Sequence, residues 1–212
     1  MDHERDRLRM VEDQVARRGV TDARVLDAMR RVPRHLFVEE ALRERAYGDH
    51  PLPIGEGQTI SQPYIVGLMT SLLELTGSEK VLEVGTGSGY QTAVLALLAR
   101  RVCSIERLGG LATRARAVLE GLGSTNVWIR VGNGALGWPD EAPFDRIIVT
   151  AGGPGIPPPL FEQLAEGGRM VLPVGVPEGQ TLTLVEKVDG RQRARAFGDC
   201  TFVKLVGKYA WE

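Results

Sequence analysis

The chain has 212 residues, 43% apolar and 25% charged, with a formal net charge of −1 at pH 7. That is an ordinary globular balance, long enough for one domain with a substantial core. Near-neutrality removes any general attraction to nucleic acid or to an anionic membrane.

The opening MDHERDRLRM is charged and lacks the apolar stretch of a signal peptide, and no apolar run approaches the length of a membrane span. Two short helices are expected over residues 4–31. Leu8, Val11 and Val15, then Val25, Leu26 and Met29, recur at helical spacing. The break falls at Arg18-Gly19, with Thr21 or Asp22 as the cap of the second helix, and Pro33 ends the region. Residues 46–58, AYGDHPLPIGEGQ, carry two prolines and three glycines and read as an extended loop. A helix follows from about Ser61 to Leu75, with Ile65, Leu68, Met69, Leu72 and Leu73 on one side.

From Lys80 the rhythm changes to strand, turn and helix, repeated. Strands are expected at Lys80–Val84, Val102–Glu106, Asn126–Val131, Asp145–Thr150 and Gly168–Val174, with helices at Tyr90–Arg100, Leu108–Leu122 and Pro158–Ala165. Alternation of this kind implies a doubly wound α/β fold, a parallel sheet with helices on both faces. The tail differs. Thr181–Val188, the turn Asp189-Gly190 and Arg191–Phe197 form an antiparallel hairpin pattern, and Thr201–Val206 reads as a final strand. No linker divides the chain, so residues 1–212 are expected as one domain: 1–76 helices and a ligand loop, 77–175 the nucleotide-binding core, 176–212 C-terminal strands.

Two cysteines, Cys103 and Cys200, make neither a disulfide framework nor a CxxC pair. His3, His35 and His50 lack metal-ligand spacing, so no metal is expected. A cytoplasmic, reduced protein fits these features. Arginine outnumbers lysine 22 to 4, an imbalance to which we attach no mechanism.

The chemistry concentrates in VLEVGTGSGYQT, residues 81–92, where an apolar strand runs into Gly85-Thr86-Gly87-Ser88-Gly89 and then a helix. Glycines let the backbone turn sharply and approach a ligand, with free helix N–H groups aimed at it. A dinucleotide fingerprint, G-x-G-x-x-G, would need glycine where Tyr90 stands, which disfavours a nicotinamide cofactor. Glu106 closes the second strand about twenty residues after Gly85 and suits a ribose diol. Glu83 is an acid inside the first strand, and Asn133-Gly134 ends the third, where an amide could read an adenine edge. Together these point to an adenosine ligand across the carboxyl ends of the strands, with S-adenosyl-L-methionine (AdoMet) the best candidate.

GQTISQPY, residues 57–64, adds a second signal. Ser61 before a helix reads first as an N-cap, and its hydroxyl could at the same time face a substrate, with Pro63 tolerated at the helix start.

With VCSIE, GNGALGWPDEAPFDRIIVTA, GGRMVLPVG, VEDQVARRGV, VLDAMRRVPRHLFV and AYGDHPLPIG, these motifs resemble the protein-L-isoaspartate O-methyltransferases over most of residues 7–206. The glycine motif marks AdoMet-dependent methyltransferases broadly, and the PIGxGQTIS-x-P segment is much more specific. The resemblance implies a mostly parallel, Rossmann-like methyltransferase sheet. It also implies methyl transfer to the free α-carboxylate of L-isoaspartyl residues, initiating repair of damaged proteins through a succinimide. It matches Ser61 to the active-site serine, Gln58, Thr59 and Ile60 to the segment over the cofactor, and Gly85 and Gly87 to the turn under its methionine part. Thr86 falls within that turn. Glu106 matches the ribose acid, and Asn133-Gly134 stands where the family usually has Asp-Gly. A second departure is Thr150-Ala151-Gly152-Gly153-Pro154, richer in glycine than the usual run, for which a looser loop is expected. The peptide substrate would enter between Ala46–Ile60, the turn after Thr150 and Thr201–Val206. The implied partners are isoaspartyl proteins and peptides, with neither nucleic acid nor membrane, and a monomer is the expected state. Two alternatives stay open: a relative that methylates aspartate of a dedicated biosynthetic peptide, and a non-catalytic AdoMet-binding module.

Overall fold

The structure, a computed structural model, describes residues 2–211. Helix α1 (His3–Met10) is capped by Asp2, runs on through a π turn and a 3-10 turn, and stops at Gly19, whose φ of 98° is left-handed. Helix α2 (Ala23–Arg31) starts at Asp22, whose carboxylate accepts from the N–H groups of Arg24 and Val25. The two histidines of this region, distant in sequence, meet here: the rings of His3 and His35 stack at 4.0 Å, and His35 Nδ1 lies 2.6 Å from the Tyr47 hydroxyl.

The expected loop hides a small antiparallel ladder, β1 (Leu52–Pro53) with β2 (Thr59–Ile60). Leu52, Ile54 and Ile60 bury their side chains beneath it, so it is anchored rather than free. Arg114 ties its turn to a later helix, donating to the Ile54 carbonyl and pairing with Glu56 at 3.6 Å.

Helix α3 spans Pro63–Leu72 and its N-cap is Gln62. The expectation that Ser61 caps this helix is therefore corrected. Proline takes the first helical position, where its missing N–H is harmless, so the cap falls one residue beyond Ser61. No side chain supplies a capping hydrogen bond.

Strand β3 (Lys80–Val84) leads to α4 (Tyr90–Ala96), β4 (Arg101–Glu106) to α5 (Gly109–Gly121), then β5 (Val127–Val131), β6 (Phe144–Val149), α6 (Pro158–Gln163), β7 (Leu164–Val176), β8 (Gly179–Val188) and β9 (Arg191–Cys200). The sheet order is β5-β4-β3-β6-β7-β8-β9. The first five are parallel, and the hairpin β8–β9 joins antiparallel to β7. Apolar residues on both faces of β3, β4 and β6 explain their burial between helical layers. One face is covered by α1–α5, the other by α6 and the tail. Strand order reverses at β3, which opens a crevice at the carboxyl ends of β3 and its neighbours, the usual ligand position in such sheets.

The expected final strand over 201–206 is not formed. The chain turns back from β9 and makes single bridges, Lys204 with Gly152 and Val206 with Trp211. Among the described residues no helix is long and apolar enough to cross a membrane.

Candidate active site

A cleft lies at that reversal point, lined by the glycine turn, the Gln58–Ser61 segment and the tail residues Val203–Val206. Its floor is the glycine turn. Gly85 has φ 97°, and a β-carbon there would collide with Thr150 Oγ1, so only glycine lets the turn pass. Thr150 in return donates to the carbonyl of Gly85 at 2.6 Å, binding the end of β6 to the turn. Thr86 lines the cleft, and its hydroxyl sits 2.5 Å from that of buried Ser104.

Glu106 forms one side. Its carboxylate is nearly buried and accepts from the N–H of Gly87 at 2.8 Å and of Leu108 at 3.0 Å. Two lone-pair positions remain for a ligand diol, because a carboxylate offers about four. The roof is the segment Gln58-Thr59-Ile60-Ser61. The Ser61 side chain is half-buried in the lining, and its carbonyl accepts from Arg34 at 2.8 Å. Gly134 lines the far end.

The cleft thus gathers Gln58, Thr59, Ile60, Ser61, Gly85, Thr86, Gly87, Glu106 and Gly134, and leaves out Glu83 and Asn133. Glu83 is fully buried on the face under α4, where Thr92 and Ser104 hydroxyls each donate to Oε2 at 2.6 Å and Oε1 has no partner. It sits one residue short of the strand's end, inside a layer covered on both sides, so its side chain points into the core. Burial pushes its pKa up to about 8 against the hydrogen bonds from Ser104 and Thr92, with the negative charge of Glu106 adding to the rise. Asn133 caps the short turn Gly134–Leu136, accepting from the Ala135 N–H at 3.0 Å, and its carboxamide faces Gly207 of the tail.

Sequence reasoning missed Arg107 and Leu108, which follow Glu106 along the cleft, and Tyr90 and Gln91 at the start of α4. Their neighbourhood was the available signal, since each adjoins a motif residue at a strand's carboxyl end. The tail segment Val203–Val206, expected at the substrate entrance, also lines the cleft. It is pinned rather than loose: Gly152 N–H donates to Val203 O and Leu205 N–H to Gly152 O, each at 2.8 Å. Buried Gln180 accepts from the Phe202 N–H at 2.7 Å. The glycine-rich run after Thr150 is held by these bonds, which corrects the expectation of a looser loop.

The family described as protein-L-isoaspartate(D-aspartate) O-methyltransferase matches residues 5–210. The chain belongs to this family. The protein-L-isoaspartate O-methyltransferase 1 of Syntrophobacter fumaroxidans is 63% identical, covering 96% of this chain and 95% of its own. That of Geobacter metallireducens is 59% identical, covering 97% and 95%. Among solved structures, one protein-L-isoaspartate O-methyltransferase superposes with TM-score 0.87 at 28% identity, covering 98% of this chain and 67% of its own. A second, from Plasmodium falciparum and in complex with S-adenosyl-L-homocysteine, gives 0.82 at 26%, covering 94% and 98%. As a member of the protein-L-isoaspartate O-methyltransferases the chain is an AdoMet-dependent enzyme. Its cleft suits that cofactor on its own terms: a turn that forbids a side chain at Gly85, and a carboxylate at the second strand's end with acceptor capacity left for a ligand.

Proposed function

We propose that the enzyme methylates the free α-carboxylate of L-isoaspartyl residues in damaged proteins and peptides, the ester then closing to a succinimide whose hydrolysis partly restores aspartate. The observation that carries this reading is the meeting of the GQTIS segment and the glycine turn in one cleft. AdoMet, when bound, supplies an electrophilic methyl on a sulfonium that departs as a neutral thioether.

The acceptor needs no base. An α-carboxylate has a pKa of roughly 3.5, so at neutral pH it is already the nucleophile. The work left for the protein is desolvation and alignment, and alignment supplies on the order of 7–11 kcal/mol in favourable cases. In this reading Gly85, Thr86 and Gly87 cradle the methionine end of the cofactor, Glu106 accepts from the ribose, and Gly134 lies beside the adenine. Gln58, Thr59 and Ile60 exclude water from above. Ser61 donates its hydroxyl to the acceptor carboxylate and holds it in line, and it forms no covalent bond. Val203–Val206 lies along the entrance for the peptide. We read residues 1–212 as one domain, acting as a monomer in the cytoplasm on proteins and peptides, without nucleic acid or membrane.

Incubation with labelled AdoMet and matched isoaspartyl and aspartyl peptides tests the proposal. Label should enter the isoaspartyl peptide as a base-labile ester. Preference for the aspartyl twin would assign the enzyme to biosynthetic aspartate methylation instead, and cofactor binding without transfer to either would make it a non-catalytic module.

A further inference from the structure

Behind the roof of the cleft lies a buried cation that the mechanism above does not use. Arg34 is 0% exposed. Its Nε donates to the carbonyl of Ala46 and its Nη2 to that of Ser61, each at 2.8 Å, while Nη1 has no partner. Ala46 and Ser61 bracket the segment that carries β1, β2 and GQTIS, so one planar guanidinium ties both ends of the roof. The ring of Tyr90, which lines the cleft, stands 4.8 Å from the guanidinium carbon, and its buried hydroxyl also lacks a partner. Phe37 meets the same ring edge-on at 5.6 Å. Burial lowers the Arg34 pKa to about 10, against the pull of Tyr90 and Tyr47, which leaves it charged at neutral pH.

A tie between two carbonyls requires donors and no charge, and burying a charge without an acid is unfavourable. Among the described residues no carboxylate pairs with Arg34; two carbonyl dipoles and an aromatic face receive it. The anion this charge could serve is the one that arrives on the other side of Ser61.

We propose that Arg34 is a positioning residue for the acceptor carboxylate, fixing Ser61 through its carbonyl and holding a permanent positive charge behind the cleft wall. The proposal rests on the carboxylate-acceptor reading and adds a second element to it. Charge and geometry then separate in two variants. Arg34→Lys keeps the cation but cannot span both carbonyls with a planar fork. Its KM for an isoaspartyl peptide should stay within about threefold while kcat falls on the order of 10–100-fold, the effect of a small misplacement. Arg34→Gln keeps a donor and loses the charge, so KM should rise as well. Affinity for S-adenosylhomocysteine should be retained in both, showing that the glycine turn is intact. Equal KM in the two variants would overturn the role of the charge, and unchanged kcat in Arg34→Lys would overturn the role of the fork.

A measurement on the wild-type enzyme covers the case of variants that fail to fold. Binding of an isoaspartyl peptide is compared with that of its α-carboxamide analogue as salt rises. A buried charge is poorly screened, so preference for the carboxylate should persist at high salt. Loss of that preference would assign it to surface cations and overturn the proposal. Failure of the functional reading would look different: the wild-type enzyme would methylate no isoaspartyl peptide at any salt.

Discussion

Gly207 lies so close to the Asn133 carboxamide that no side chain fits between them: a β-carbon at 207 would stand 2.6–2.7 Å from Nδ2, Cγ and Oδ1. The tail residues lining the cleft end immediately before this contact. Asn133 therefore serves two neighbours, capping the turn that presents Gly134 and receiving the tail. Its one carboxamide oxygen is occupied by the Ala135 N–H. A carboxylate would keep that bond and bring a second oxygen. Asn133→Asp should leave the protein folded and preserve or tighten S-adenosylhomocysteine binding in calorimetry; a tenfold loss would mean that the adenine does not lie beside the 133–134 turn.

Glu106 joins turn and ligand side at once, since Gly87 and Leu108 N–H groups already bind its oxygens. Removing it leaves two backbone donors without their acceptor and, in the proposed function, a ribose without its acid. Glu106→Ala should weaken cofactor binding by about 1.5–3 kcal/mol, the range for hydrogen bonds to a charged group. Unchanged affinity would take Glu106 off the ribose.

For Ser61 the structure sharpens the expectation. Gln62 is the helix cap, so the Ser61 hydroxyl is not engaged in capping, and its place in the cleft lining leaves it available to a ligand. Ser61→Ala should therefore lower kcat far more than cofactor affinity, with little change in melting temperature. Equal losses in both would mean that Ser61 mainly shapes the roof.

The sheet was legible because its signals are local. KVLEV and VCSIE are apolar runs flanked by turn residues, and β3 spans Lys80–Val84 as the pattern indicates. The glycine turn and Glu106 were legible for the same reason: a ligand crevice follows the strands' carboxyl ends, and the residues there can be counted off. What failed depends on neighbours. Thr201–Val206 has the composition of a strand, but the chain leaves the sheet after Cys200 and makes single bridges alone, Lys204 with Gly152 and Val206 with Trp211. The misplaced cap was recoverable, because proline at the first helical position puts the cap at Gln62. Arg34 was not. Nothing local separates it from the other arginines of a chain with 22, and only the folded structure brings Ala46 and Ser61 to its two sides.

The tail supplies a cation on the open side of the cleft. Val203 and Leu205 pack against the apolar core, and Lys204 between them is exposed and belongs to the cleft lining. An anionic peptide entering there would meet it through solvent, where a surface ion pair contributes about 0.2–1 kcal/mol. Lys204→Gln should raise the peptide KM up to about fivefold at low salt and little at high salt, with kcat and cofactor affinity unchanged. A salt-independent KM equal to wild type would remove Lys204 from the substrate path.

Glu83 gives a pH signature independent of catalysis. Its folded pKa, raised to about 8, lies above the ordinary 4.5, and burial is the largest cause. Below 4.5 the folded and unfolded chains both hold the proton, and the residue then favours the folded state fully. Between 4.5 and 8 the unfolded chain has released it and the folded chain has not, so stability falls as pH rises and levels off above 8. At about 1.4 kcal/mol per pKa unit, the decline attributable to Glu83 is on the order of a few kcal/mol. Glu83→Gln removes the titration and keeps an acceptor for Thr92 and Ser104. Denaturant melts at pH 5, 6.5 and 8 should show the variant gaining on the wild type as pH rises. A constant difference across that series would show that Glu83 is ionised in the folded enzyme and that its two hydroxyl partners suffice to hold the charge.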